Sequence, residues 1–142
     1  KYYVFQHLPY KNSMKAECLR LFARWSADRR KKFKNPYYRQ LLKDSFVAHK
    51  TAIENYKKLN LISRVIKIKN KICGYTFGFE LTKDTFCILL EATDMRYKGI
   101  SEYIFREFCK EMLQYSYINT MDDSGLENLR LSKLSYHPVI CT

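Results

Sequence analysis

The chain has 142 residues, 46% hydrophobic and 15% aromatic, which suits one domain with a sizeable core and excludes a disordered polypeptide. Its net charge of +12 is uneven: residues 1–71 carry 19 basic and 4 acidic side chains, whereas residues 72–142 carry 7 and 10. No apolar run reaches the ~18 residues of a membrane span, and no CxxC pair or Cys/His cluster among the five cysteines has metal-ligand spacing.

Residues 1–10 read as an extended arm stopped near Pro9. Ser13 suits the cap of a helix over about 14–27, with Leu19, Phe22 and Ala23 on one face. Residues 29–34 (RRKKFK) form a basic run closed by Asn35 and Pro36, either a nucleic-acid contact or a solvated helix end. Residues 37–58 hold a second helix, in which Leu41, Leu42, Phe46, Ile53 and Tyr56 recur at helical spacing. His49 lies there with no partner at ligand spacing, so a surface or boundary position is expected.

The period then changes. Val65, Ile66 and Ile68 alternate with Arg64, Lys67 and Lys69, which is a strand; Asn70 and Lys71 turn the chain. Residues 72–80 form a second strand, with Gly74 and Gly78 marking a bulge or a close approach. After a turn at 82–84, residues 85–92 form a third, more buried strand. The three make an antiparallel meander. A loop at 95–99 leads to an amphipathic helix at 100–113, with Ile104, Phe105, Phe108 and Met112 inward. A fourth strand is expected at 115–120, a helix at 124–134 and a last strand at 136–141. The arm and basic helices occupy residues 1–60; the sheet and the site-bearing core occupy 61–142. No internal repeat is present.

Two segments carry chemistry. Arg96-Tyr97-Lys98-Gly99-Ile100-Ser101 opens a helix directly after the most apolar strand. A helix N-terminus has unpaired N–H groups and partial positive charge, which together suit a phosphate or other anion. Gly99 lets the backbone approach a ligand closely, and Arg96 and Lys98 add charge. The bland alternative is a strand-to-helix turn that needs a glycine. The second segment runs from 118 to 138. Asp122 and Asp123 follow a strand and suit a cationic acceptor or a base; capping by Asp123 or Ser124 is the alternative. Arg130 and Lys133 share a helix face and suit a carboxylate or phosphate, or else an ion pair with Glu127. Glu91, flanked by apolar residues in a strand, is a general-base candidate if buried and an ordinary edge carboxylate if not. Tyr136 is either a proton donor or a core tyrosine.

A meander, a strand and then Arg-x-x-Gly-x-small opening a helix resemble the GNAT (Gcn5-related) N-acyltransferase fold, an α/β (α+β) architecture with a mixed, mostly antiparallel twisted sheet flanked by helices. Ser101 stands where that family has Gly or Ala. A sharper resemblance rests on Glu91-Ala92-Thr93-Asp94, Tyr97-Lys98-Gly99, Tyr117-Ile118-Asn119, Asp123-Ser124-Gly125, Leu129-Arg130, Lys133 and Ser135-Tyr136-x-Pro138. These are similar to the bacterial GNAT-like family named for the C-terminal domain of phosphatidylglycerol lysyltransferases. Thr120-Met121 and Ser124 depart from that pattern, which has Arg-Glu and Leu there.

The resemblance implies an acyl or aminoacyl transferase, with acyl-CoA or aminoacyl-tRNA as donor and an amine or hydroxyl as acceptor. It implies coenzyme A held by Arg96, Lys98, Gly99, Ile100 and Ser101. It implies Glu91, Asp123 and Tyr136 as catalytic residues, a strand bulge near 89–91 for the oxyanion, and Asn119, Asp122, Arg130 and Lys133 as substrate contacts. No metal is expected. The family carries two tandem GNAT-like units, so this chain reads as the second, its basic helices facing a missing partner unit. The basic half suits tRNA or anionic lipid; it equally suits a solvated surface. Free thiols point to a reducing cytoplasm. A non-catalytic GNAT-like module and a basic tRNA- or partner-docking domain are the competing readings.

Overall fold

The structure is a computed structural model that describes residues 4–121 and 126–139. The amino-terminal arm is not free. Phe5–Pro9 forms strand β1, which pairs antiparallel with β2 (Ile62–Ile68). A 3-10 turn at Asn12–Met14 leads into α1 (Lys15–Lys32), and no side chain caps that helix, so the expected Ser13 cap is absent. The helix runs five residues past Ala27 and takes in the first four residues of the basic run. Arg29, Arg30, Lys31 and Lys32 fill its last turn, where cations meet the negative end of the helix dipole. Asn35 then serves α2 (Pro36–Asn55): its side chain accepts from Tyr37 N at 2.8 Å, and Pro36 takes the first helical position.

The meander is β2, β3 (Lys71–Thr82) and β4 (Thr85–Thr93). Lys69 and Asn70, at φ of 50° and 66°, make the first turn with the twist that a tight hairpin needs. Asp84 Oδ1 accepts from Thr82 and Thr85 Oγ1 at 2.6 and 3.1 Å and fixes the second. Helix α3 (Ile100–Glu111) crosses back to β5 (Tyr117–Asn119), which lies parallel to β4. The sheet order is therefore β1-β2-β3-β4-β5. Helix α4 (Glu127–Leu134) follows; residues 136–139 form no strand, and 140–142 lie outside the described residues.

Helices cover both faces of the sheet. On one, Cys18, Leu21 and Phe22 of α1 and Ala52 and Ile53 of α2 pack with Val65, Tyr75, Phe77, Leu90 and Ala92. The buried face of α1 is Cys18, Leu21, Phe22 and Ser26; Ala23, expected inside, is exposed. On the other face, Ile100 and Ile104 pack with Ile66, Ile68 and Cys73, and Phe108 and Met112 pack with Phe86 and Ile88. Ile104 and Phe108 are fully buried and each contributes ~1.5–3 kcal/mol, against ~0–1 for a surface pair such as Lys110–Glu107, so packing holds α3 in place.

His49 corrects the sequence reading. It is buried, and its Nδ1 lies 2.7 Å from Tyr75 Oη in the centre of the sheet. Burial pushes its pKa down to about 4, so it is a neutral core group with a buried partner. The sequence offered no clue, because Tyr75 is 26 positions away on another element. Among the described residues the cysteines are free, no cluster could hold a metal ion, and no helix is long and apolar enough to cross a membrane.

Candidate functional site

Two irregularities in β4 shape the site. Phe77 pairs with Leu90 and Gly78 with Ile88, so Leu89 is an extra residue and β4 bulges there. Gly78 faces the bulge: a Cβ on it would stand 2.6 Å from both Cys87 O and the Phe86 ring. The second irregularity is a split. β5 pairs with only Thr85, Phe86 and Cys87, so β4 from Ile88 to Thr93 has no strand on that side among the described residues. Its N–H and C=O groups there form an open edge.

Glu91 lies in this open stretch. Leu90 and Ala92 face α1 and α2, and Thr93 Oγ1 meets Ser101 Oγ of α3 at 2.7 Å. By strand alternation Glu91 shares the α3 side with Thr93. Its Oε1 is shut off from solvent and has no hydrogen-bond partner. Burial, then the charge of Glu102, pushes its pKa up to about 8. Cys109 is pushed up to about 11 by burial and then by Glu91. Tyr136 is raised by burial, then by Glu91, Glu102 and Cys109. These four groups therefore form one electrostatic cluster.

The turn from β4 to α3 stands at the head of the split. Gly99 is the residue before the helix, at φ 82°, a conformation that costs a residue with a Cβ about 1–2 kcal/mol. Nothing lies within 4 Å of the place its Cβ would occupy, so the space over it is open. Tyr97 N donates to Asp94 O at 3.1 Å and Ile100 N to Tyr97 O at 3.3 Å, which coil the turn under the helix. The Ser101 hydroxyl is spent on Thr93, so the departure from Gly or Ala adds no unengaged hydroxyl to the turn. Arg96 is committed elsewhere. Its guanidinium grips the buried Asp94 through Nε at 3.0 Å and Nη2 at 2.6 Å, and its N–H donates to Asp94 Oδ1 at 3.1 Å. Those hydrogen bonds hold the Asp94 carboxyl below its ordinary pKa, although burial works against them.

An open groove of about 660 Å³ begins at Lys98 and Gly99 and follows the outer face of α3 past Glu102, Phe105 and Cys109 to Tyr136. The Tyr136 ring stacks on Phe105 with centroids 4.3 Å apart and an interplanar angle of 24°. Phe105, expected inside, is half-buried and forms this wall. Glu102, Phe105 and Cys109 were missed as site residues. Their spacing of three and four places them on one helix face, but nothing in the sequence says which face a groove occupies.

The profile of the family described as phosphatidylglycerol lysyltransferase, C-terminal, matches residues 1–141. The chain belongs to this family. The structure of a conserved protein of unknown function from Bacteroides thetaiotaomicron VPI-5482 is 29% identical, with a TM-score of 0.80, over 96% of this chain and 45% of that one. The chain thus spans less than half of that protein. An aminoglycoside N-acetyltransferase AAC(6')-Iy in complex with CoA is 7% identical at a TM-score of 0.60, over 96% of this chain and 87% of that one. A ribosomal-protein-alanine N-acetyltransferase from Brucella melitensis biovar Abortus 2308 is 12% identical at 0.59, over 97% and 93%. The fold of the lysyltransferase-family chain is that of the GNAT acetyltransferases. No curated protein matches the sequence.

The expected substrate contacts of this family member are largely engaged with the chain itself. Asn119 Oδ1 accepts from Met121 N at 2.8 Å and shapes the turn after β5. Lys133 Nζ donates to Thr120 O at 2.6 Å and Met121 O at 3.1 Å, tying α4 to that turn. Arg130 faces Glu127 at 3.6 Å, and both are largely exposed. Asp122, Asp123 and Ser124 lie outside the described residues.

Proposed function

We propose that this chain is an acyl-transfer unit that moves an acyl or aminoacyl group from acyl-CoA or aminoacyl-tRNA to an amine or hydroxyl. The observation that carries the reading is the open edge of β4, with Glu91 in it and the Gly99 turn at its head. The N–H groups of Lys98, Gly99 and Ser101 and the dipole of α3 suit a pyrophosphate, with Lys98 as the nearby cation. The unpaired edge at 88–93 suits an amide-bearing arm, which can hydrogen-bond along it as an added strand would.

A thioester or aminoacyl ester supplies the activated acyl carbon. The bulge at Leu89 releases an N–H from the ladder, a donor suited to the negative charge that grows on the acyl oxygen. Glu91 is the base in its ionised form, whose share grows as pH approaches 8; that carboxylate accepts a proton from the acceptor amine or hydroxyl as the new bond to the acyl carbon forms. Tyr136 returns a proton to the leaving sulfur or oxygen as its bond to that carbon breaks. Asp123 remains a candidate for binding the acceptor.

Thermal unfolding with coenzyme A tests the donor site. Millimolar coenzyme A is expected to raise Tm in the native chain. The rise should disappear in Gly99→Glu, whose own unfolding without ligand shows whether it folds. No rise in the native chain would remove coenzyme A from the proposal.

A further inference from the structure

A second cavity, of about 270 Å³, opens where α1 meets the end of β4. Leu21, Trp25 and Met95 give it apolar walls, and Arg24, Asp94 and Arg96 stand among its polar ones. The turn from β4 to α3 separates it from the groove: Asp94, Met95 and Arg96 line the cavity, and Lys98 and Gly99 line the groove.

The charges have an order. Asp94 is only 7% exposed, and both its oxygens are taken by Arg96, so it anchors a guanidinium and has little capacity left for a ligand. Arg24 Nη2 reaches the same carboxylate at 4.0 Å, the outer limit of an ion pair. Two guanidinium groups, 50% and 73% exposed, thus converge on one buried negative charge. Asp28 is the other carboxylate on the lining; it is exposed and one turn along α1 from Arg24. A guanidinium has five donors in a planar fork, more than one shared carboxylate can use. Beside them Trp25, whose ring is held by Phe22 and by Arg29 over it at 5.5 Å, lines the apolar wall.

We propose that this cavity binds a small oxyanion carried on an apolar or aromatic body: the head on Arg24 and Arg96, the body against Trp25, Leu21 and Met95. The volume is below the ~300 Å³ at which drug-sized pockets begin, so the ligand is fragment-sized. An occupant touches the turn that also lines the groove, and so connects the two. The proposal does not depend on acyl transfer.

Trp25 is the only tryptophan of the chain, so its indole N–H resonance is an unambiguous reporter. Benzoate is the probe, and benzylamine is its cationic counterpart. Benzoate is expected to shift the Trp25 resonance saturably with a Kd of ~1 mM, and benzylamine to leave it in place. Arg24→Gln should weaken benzoate by about tenfold while keeping the dispersed spectrum of a folded chain. Arg106→Gln, in the groove, should leave benzoate binding unchanged. A linear shift without saturation overturns the proposal. So does equal binding of benzylamine, or native-like affinity in Arg24→Gln.

Discussion

At the residue scale, Glu91 concentrates the tension in this molecule. A carboxyl whose Oε1 is buried without a partner is tolerated because it stays protonated. In the unfolded chain it loses its proton near pH 4.5, and in the fold only near pH 8. Between those values unfolding releases a proton, so this residue makes stability fall as pH rises. Glu91→Gln is therefore expected to match the native chain near pH 4 and to exceed it by about 1–3 kcal/mol at pH 9. Urea titrations across that range measure the difference; a constant gap at all pH values would mean that Glu91 ionises normally. The sequence placed Glu91 in a strand between apolar neighbours, which made it a candidate if buried. It could not show His49 meeting Tyr75, or Asp94 holding Arg96, because those depend on where separate elements land.

At the element scale, β4 was legible and its irregularities were half so. Its apolar run marked a buried strand, and Gly78 on its neighbour signalled a close approach. The depth of that approach is a matter of register: a Cβ at Gly78 meets the backbone oxygen of Cys87 at 2.6 Å, whereas one at Gly74 meets a Thr93 methyl at 3.2 Å. A backbone atom yields less than a side chain. Gly78→Ala is expected to cost about 1–3 kcal/mol and Gly74→Ala clearly less, as read from chemical denaturation midpoints. Equal costs would mean that the bulge at Leu89 can relax. Helix ends were less legible than cores. The sequence ends the first helix near Ala27 and leaves the basic run as a nucleic-acid contact or a solvated helix end; α1 carries its first four residues to Lys32, because helix-favouring arginines and lysines suit the negative end of the dipole.

At the scale of the whole molecule, the basic run of α1 and the groove lie on opposite faces of the sheet, although Lys98, Arg106 and Lys110 also line the groove. The basic α1 and α2 cover one face of the sheet, and α3 with its groove covers the other. This arrangement gives the aminoacyl-tRNA form of the proposal a test of its own. The chain is expected to bind tRNA with an affinity that falls steeply with salt. Replacing the exposed Arg30, Lys31, Lys32 and Lys34 by Gln should flatten the log–log slope by as much as ~3. An unchanged slope would make that run a solvated helix end. The lopsided composition was plain in the sequence; which face of the sheet the α1 charges land on followed from which helix faces were apolar.

The pairing of β1 with β2 has a kinetic side. Phe5 meets Ile68, whereas the two hairpins of the meander join strands that are neighbours in the chain. Closing a loop of about 60 residues costs more chain entropy than closing a tight turn. The hairpins can therefore form early, and the amino-terminal strand adds to an edge already in place. Until then the outer edge of β2 stays open to other strands. During synthesis that edge cannot exist before β2 itself emerges, so β1, made before β2, is among the last strands to find its place.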